Sequence, residues 1–387
     1  MKENITGFVR ADGRIGVRNH VLILPISYEM NQIAHQIASR VPGTTTFRNQ
    51  HGIDQRGADL LQTLRVLSGF ATHPNVFGVV FLAWGRETFN VDALAKEAEA
   101  AGKQVEVITL KDAGGMRRTL EQGVRVASAF VAEGAKSERV PISLSDIILG
   151  TECGGSDACS GISGNPALGV VSDLLVAKGG TAILSETTEL IGAEHLLAQR
   201  GETPEIGERI LYIVNRIEEN AMRMGADIRG AQPSPGNMDG GITTIEEKSL
   251  GCIYKGGTTK VQEVIEYAER PTKKGLVVMD TPGHDIEQAT GMAAGGAQVI
   301  IFTTGRGTPT GSPIVPVIKV ATNTFTYKNM HVNIDFNAGT IVEGRESVQQ
   351  VGEHLFQVML GVLDGRQTAA ERLGHREFGI YRIGNSI

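Results

Sequence analysis

The chain reads as an α/β protein of two domains, and three observations carry that expectation. Short β-branched runs alternate with longer amphipathic stretches, polar glycine-bearing loops repeatedly follow the apolar runs, and 387 residues exceed one typical core. With 41% hydrophobic and 21% charged residues the chain has the composition of a packed globular protein, and its 49 glycines predict many tight loops.

Residues 7–20 (G-F-V-R-A-D-G-R-I-G-V-R-N-H) gather Arg10, Arg14 and Arg18 around two glycine turns, a pattern that either caps a sheet or meets an anionic substrate or a second subunit. Strands are expected over 20–25, 76–83 and 104–110 with helices between them, and a long helix over 114–132 follows. Segment 133–145 (E-G-A-K-S-E-R-V-P-I-S-L-S) is polar and lacks periodicity, so the domain boundary is expected there, with residues 1–138 as an N-terminal α/β domain and residues 139–387 as the second. The second part opens with a buried strand over 146–150, a glycine-rich loop and a helix over 165–177. The unit recurs, since 181–184 precedes S-E-T-T-E, 276–279 precedes D-T-P-G-H-D, and 298–302 precedes T-T-G-R-G-T. Open parallel sheets present ligands beyond the carboxyl ends of their strands, so these loops are expected to converge on one edge. A surface helix over 205–224 turns Ile206, Ile210, Ile213 and Ile217 inward.

A formal net charge of −6 gives no electrostatic reason for a nucleic-acid or anionic-membrane partner, and an acidic substrate must be met by a local basic site. No stretch approaches the roughly 18 apolar residues of a membrane span, and residues 1–19 do not resemble a secretory signal, so the expected location is the cytoplasm. Three cysteines cannot all pair within one chain, which points to free thiols or thiolate ligands.

Three glycine-rich segments carry the chemistry. In 150–161 (G-T-E-C-G-G-S-D-A-C-S-G) Cys153 sits at a strand end between Glu152 and Asp157, a mixture of soft thiolate and hard carboxylate that suits a transition metal such as iron, or zinc; Cys159 reads as a small packed cysteine. In 240–257 a short helix is opened by Thr244 with Glu247 three residues on, a capping-box pattern, and presents Lys248 and then Cys252. In 279–285 (M-D-T-P-G-H-D) Asp280 ends a strand and a Pro-Gly turn presents His284 and Asp285; histidine suits general base work near neutral pH. Glu186 in S-E-T-T-E again follows a strand, while His195 falls within a helix. The 303–311 loop (T-T-G-R-G-T-P-T-G) combines backbone N–H groups with Arg306 for a carboxylate or phosphate. No Walker sequence or correctly spaced dinucleotide fingerprint occurs.

Taken together, G-F-V-R-A-D-G-R-I-G-V-R-N, H-P-N-V, T-E-C-G-G-S-D, S-G-I-S-G-N-P-A-L-G, I-L-S-E-T-T-E-L-I-G-A-E-H, G-G-I-T-T-I-E-E-K-S-L-G-C-I, M-D-T-P-G-H-D and F-T-T-G-R-G resemble, in order and across nearly the whole chain, the altronate/galactarate dehydratase family, which includes the sulfolactate sulfo-lyase large subunit. The resemblance implies a first domain used in dimerisation, hence a homodimer, and a Rossmann-like variant as the second domain with a mostly parallel sheet. It implies a divalent metal supported by ferrous iron, Fe2+, with Mn2+ or Mg2+ as alternatives. Family enzymes often carry a small β-clip domain before the position of Gly7, so the resemblance leaves two expectations: a separate small β-clip subunit as partner, or a protein that works without one. Two motifs depart from the family: Q-H-G-I-D-Q over 50–55 and A-W-G-R-E over 83–87 stand where relatives carry cysteines.

The expected reaction is loss of water from a sugar acid, an aldonate or aldarate: a base takes the proton α to the carboxylate, the β-hydroxyl leaves, and the enol becomes a 2-keto-3-deoxy acid. The expected metal ligands are Cys153, Cys252, Glu186 and Asp280. His284, Lys248 and Asp157 are the expected catalytic groups, and Arg306 with Gly305, Thr304 and Asn165 the substrate-binding ones. An iron–sulfur cluster would require Cys159 beside Cys153 and Cys252. Loss of bisulfite from sulfolactate uses the same proton abstraction, and a binding subunit without turnover is the non-enzymatic alternative.

Overall fold

The computed structural model describes residues 5–384. Its strands in chain order are β1 (Ile5–Val9), β2 (Ile15–Gly16), β3 (His20–Pro25), β4 (Thr44–Thr46), β5 (Val76–Ala83), β6 (Gln104–Thr109), β7 (Val140–Ile142), β8 (Ile148–Cys153), β9 (Thr181–Leu184), β10 (Val261–Ile265), β11 (Gly275–Met279), β12 (Val299–Thr304), β13 (Val317–Ala321) and β14 (Phe336–Asn337). The chain is therefore α/β, as the alternation predicts. A four-stranded parallel sheet has the order β4-β3-β5-β6, and a seven-stranded parallel sheet has the order β10-β11-β9-β8-β12-β13-β14.

A third, antiparallel sheet, β2-β1-β7, lies outside the sequence-based reading. The aperiodic segment after the long helix Met116–Gly134 contributes β7, which pairs with β1 from the chain's beginning. Two of the three early arginines tie this region down. Arg10 donates to the Pro74 carbonyl at 2.6 Å and to Asn19 at 2.7 Å, and Arg18 pairs with Glu371 at 2.6 Å.

Both faces of the large sheet are covered, which explains why its strands are continuous apolar runs rather than alternating ones. Leu149, Ile301 and Ile318 face helices Gly164–Ala177 and Val348–Leu363. On the same side, Cys153, Leu184 and Val278 face helices Pro204–Arg223 and Ile245–Ile253; Ile210 and Ile213 of the former are fully buried and Ile206 and Ile217 partly so. On the opposite face Ile300, Phe302 and Met292 of helix Asp285–Ala294 join Leu22, Phe70 and Phe81 of the smaller sheet's layer in one core. The tail reaches back across this junction. Phe378 stacks on Phe47 with ring centroids 3.9 Å apart, and Ile383 N donates to Asp59 at 2.6 Å.

The strand order locates the site. From β8 the chain passes to its neighbour β9, then to β10 at the edge and back to β11 between them, before crossing to β12 on the other side of β8 and winding away through β13 and β14. Such a reversal leaves a crevice at the carboxyl ends of the central strands. Cys153 is the last residue of β8, three residues later than the predicted strand end.

Candidate metal centre and its cleft

Four buried side chains converge beyond β8. The ligand atoms of Cys153, Glu186, Glu189 and Cys252 all lie within 4.8 Å of one another. Cys153 Sγ is 3.4 Å from Glu189 Oε2 and 3.6 Å from Glu186 Oε2, and Cys252 Sγ is 3.7 Å from Glu186 Oε2. A tetrahedral ion bonded at about 2.3 Å to sulfur and about 2.1 Å to oxygen has sulfur–oxygen edges of about 3.6 Å, so the donor set fits such an ion. Two thiols with two carboxylates suit ferrous iron or zinc better than magnesium.

Each ligand is delivered by a local device. Glu186 follows β9 in the left-handed region, with φ 73° and ψ 59°, a costly conformation for a residue with a Cβ. It is held there by its N–H, which donates to Thr281 Oγ1 at 2.7 Å, and by the Thr187 N–H to the Thr281 carbonyl at 3.3 Å. The 3-10 turn Thr187–Glu189 then sets Glu189 beside Glu186. Cys252 comes from helix Ile245–Ile253, where Thr244 caps the Glu247 N–H at 3.1 Å. The expected capping box is only half formed, because Glu247 Oε2 reaches Thr243 N at 2.8 Å, one residue further back. That helix lies against the loop after β8 through two glycines: a Cβ on Gly251 would sit 3.0 Å from the Gly161 Cα.

A lysine neutralises the cluster. Lys255, wholly buried, donates to Cys153 Sγ at 3.1 Å and pairs with Glu186. The hydrogen bond from Cys252, with help from Lys255, holds the Cys153 thiol well below its ordinary range against the opposing effect of burial, and the same bond plus burial pushes Cys252 well above it. Burial and the neighbouring Cys153 charge push Glu189 up to about 8, although Lys248, 2.7 Å away, opposes them. Burial works to lower Lys248, but Glu189 leaves it above the ordinary lysine value.

Two clefts of about 260 Å³ each flank the cluster and share Ser156 and Lys248. Cys153 borders one, with Asp157, Ile162 and Tyr254; Glu189 borders the other, with Asp285, Gly283 and Arg306.

The other predicted site residues fall into two groups. Arg306 is exposed to the second cleft, and His284 is exposed between two of that cleft's lining residues, Gly283 and Asp285. Asp157, Thr304, Gly305 and Asn165 are spent on architecture. Asp157 accepts from Ser160 Oγ at 2.9 Å, Thr322 Oγ1 at 2.8 Å and Asn323 Nδ2 at 2.9 Å. Thr304 Oγ1 accepts from Gly307 N at 2.9 Å, Gly305 lies against Asp157 where a Cβ would clash, and Asn165 joins Gly251 O at 3.0 Å to Thr303 Oγ1 at 2.6 Å.

Asp280 stands outside the four-ligand cluster: Thr187 Oγ1 donates to its Oδ1 at 2.6 Å and Arg216 pairs with its Oδ2, so both oxygens are engaged. Glu152 is not a ligand either. It alternates with Cys153 to the opposite face of the sheet, where it is wholly buried and neither oxygen has a partner among the described residues; burial pushes its carboxyl well above the ordinary range. Cys159 is outside the cluster, so the three thiols do not meet as an iron–sulfur cluster would need. Glu189 and Lys255 escaped the sequence reading. The available signal was helical spacing, since Lys248, Cys252 and Lys255 follow i, i+4, i+7 and share one face.

Residues 144–386 match the family model described as D-galactarate/altronate dehydratase, C-terminal, and residues 7–135 match that of the D-galactarate dehydratase/altronate hydrolase second domain. The chain is 36% identical to (2R)-sulfolactate sulfo-lyase subunit beta of Chromohalobacter salexigens, covering 97% of both chains. It is also 36% identical to altronate dehydratase of Bacillus subtilis, over 98% of this chain and 78% of that one. Against galactarate dehydratase (L-threo-forming) of Escherichia coli the identity is 36%, over 82% of this chain and 62% of that one.

Proposed function

The chain belongs to the D-galactarate/altronate dehydratase family, a family of lyases, and we propose that it is a metal-dependent hydro-lyase converting an aldonate or aldarate to a 2-keto-3-deoxy acid. The observation that carries the reading is the buried two-thiol, two-carboxylate cluster opening onto a cleft that holds Lys248 and Arg306.

In this reading Cys153, Cys252, Glu186 and Glu189 hold one divalent ion, ferrous iron by preference. When bound, the ion supplies Lewis-acid stabilisation of the negative charge that develops on the substrate carboxylate as the α-proton leaves. Arg306, which lines the same cleft as Glu189, orients that carboxylate through paired N–H donors. His284, at the cleft rim, takes the α-proton. Lys248, kept charged by Glu189, gives a proton to the departing β-hydroxyl, which leaves as water. The enol then takes a proton at carbon and becomes the ketone. Lys255 balances the buried anions and excludes water behind them. The same reading has the protein acting in the cytoplasm as a homodimer.

The equal identity to the sulfo-lyase subunit favours a second reading, in which bisulfite leaves the β-carbon and a separate subunit takes part. Anaerobic, ferrous-loaded protein assayed against aldonates, aldarates and sulfolactate decides between them. Keto-deoxy acid formation supports hydro-lyase action; bisulfite release without it transfers the assignment to the sulfo-lyase; metal uptake with neither product leaves a binding subunit.

A further inference from the structure

At the opposite end of the large sheet the loops before β8 and β11 and the turn between β1 and β2 enclose a cleft of about 250 Å³. Arg14, Arg270, Lys273 and Lys274 line it, with Asp146 as the one carboxylate, in a chain whose net charge is −6. Much of this cationic charge is uncompensated. Lys274 donates to the Ser145 carbonyl at 2.6 Å and lies 3.8 Å from Asp146. Arg14 pairs with Asp12 at 2.5 Å and donates to the Thr72 carbonyl at 2.7 Å, yet its Nη1 is shielded from solvent with no hydrogen-bond partner among the described residues. Among those residues no hydrogen bond or ion pair engages the Arg270 guanidinium or the Lys273 ammonium. Partial burial, and after it the Arg14 charge, lowers Arg270 to about 10, while Asp12 opposes them.

We propose that this cleft binds a small phosphate monoester. Guanidinium groups offer paired donors to phosphoryl oxygens and lysine adds point charge, and the four cations outnumber Asp146 and Arg14's partner Asp12, which favours a dianion over a single carboxylate. The volume exceeds that of inorganic phosphate and falls below the range for larger ligands, which suits a short phosphorylated carbon chain. Gln298 forms a rigid floor, donating to Ile15 O at 2.9 Å and Asp146 O at 2.8 Å and accepting from Ile148 N at 2.6 Å. Residues from the antiparallel sheet and the large parallel sheet therefore line the cleft together. From Ile148 to Cys153 is five strand residues, about 17 Å, so the cleft is separate from the metal centre.

Calorimetric titration in chloride buffer with inorganic phosphate and with glycerol 3-phosphate tests the site. The expected result is saturable one-to-one binding of both, the ester more tightly, and at least about tenfold weaker binding by an Arg270→Glu, Lys273→Glu double variant. Both side chains lie at the surface, and an Arg270→Gln single variant, expected to weaken binding about threefold or more, serves if the double variant melts early. Absence of saturable binding by the ester, or unchanged affinity in the variants, overturns the proposal. Metal-dependent turnover without added phosphate is expected to be unchanged by these substitutions, so the cleft and the catalytic reading fail separately.

Discussion

Lys255, wholly buried, meets the buried Cys153 beyond β8: the lysine ammonium donates to the sulfur at 3.1 Å while pairing with Glu186. Removing that cation strands a thiolate and a carboxylate in a dry pocket. Lys255→Met is therefore expected to destabilise metal-free protein by about 3 to 5 kcal/mol, and ferrous iron or zinc, supplying the missing positive charge, to restore much of it. Denaturant unfolding with chelator and with metal measures both; a metal-free variant as stable as the parent would contradict this account of the pair.

Cys252 lies in the four-residue cluster and Cys159 outside it. Cys252→Ser is expected to lower bound metal by about tenfold or more after anaerobic loading and dialysis, and Cys159→Ser to leave it unchanged. Elemental analysis of the three proteins reads this directly.

Glu189 makes the stability of metal-free protein depend on pH. Its carboxyl is raised from 4.5 to about 8 in the fold by burial and the Cys153 charge, so between those values the folded state holds a proton that the unfolded state has lost. Stability must fall as pH rises across that window, at up to about 1.4 kcal/mol per pH unit from this group, and level off above it. Urea midpoints across the window are expected to drift downward with rising pH, with Glu189→Gln reducing the slope.

Asp280 provides a contrast with the four-residue cluster. Because its oxygens bind Thr187 and Arg216, Asp280→Asn is expected to cost about 2 kcal/mol of stability while leaving metal content intact. Loss of metal in this variant would put Asp280 back among the ligands.

Arg306 and Lys248 divide binding from chemistry. Arg306→Ala is expected to raise KM by about tenfold or more with a smaller change in kcat, whereas Lys248→Gln should lower kcat by about a hundredfold or more. Steady-state kinetics on the best substrate of the panel distinguishes them, with bound metal measured in both variants.

The strand-end loops were legible because β-branched runs ending in glycine, cysteine and acid residues are local signals, and Cys153, Glu186 and Cys252 came from them. Glu189 was not, because its position depends on Glu186 adopting a left-handed conformation that no side-chain pattern announces. Lys255 lay beyond the predicted helix end and was hidden by the following glycines, although its spacing from Cys252 continued the helical face. Asp280 was correctly set at a strand end, but its partner Arg216 comes from a distant helix, and such pairings are tertiary facts. β1, β2 and β7 are too short for their periodicity to be read, and they form by pairing with one another.

X-ray absorption at the iron edge of anaerobically loaded protein tests the central claim most directly. Two sulfur neighbours completed by oxygen ligands, with at least one sulfur lost in Cys252→Ser, is the predicted result. A shell of oxygen and nitrogen alone would contradict it.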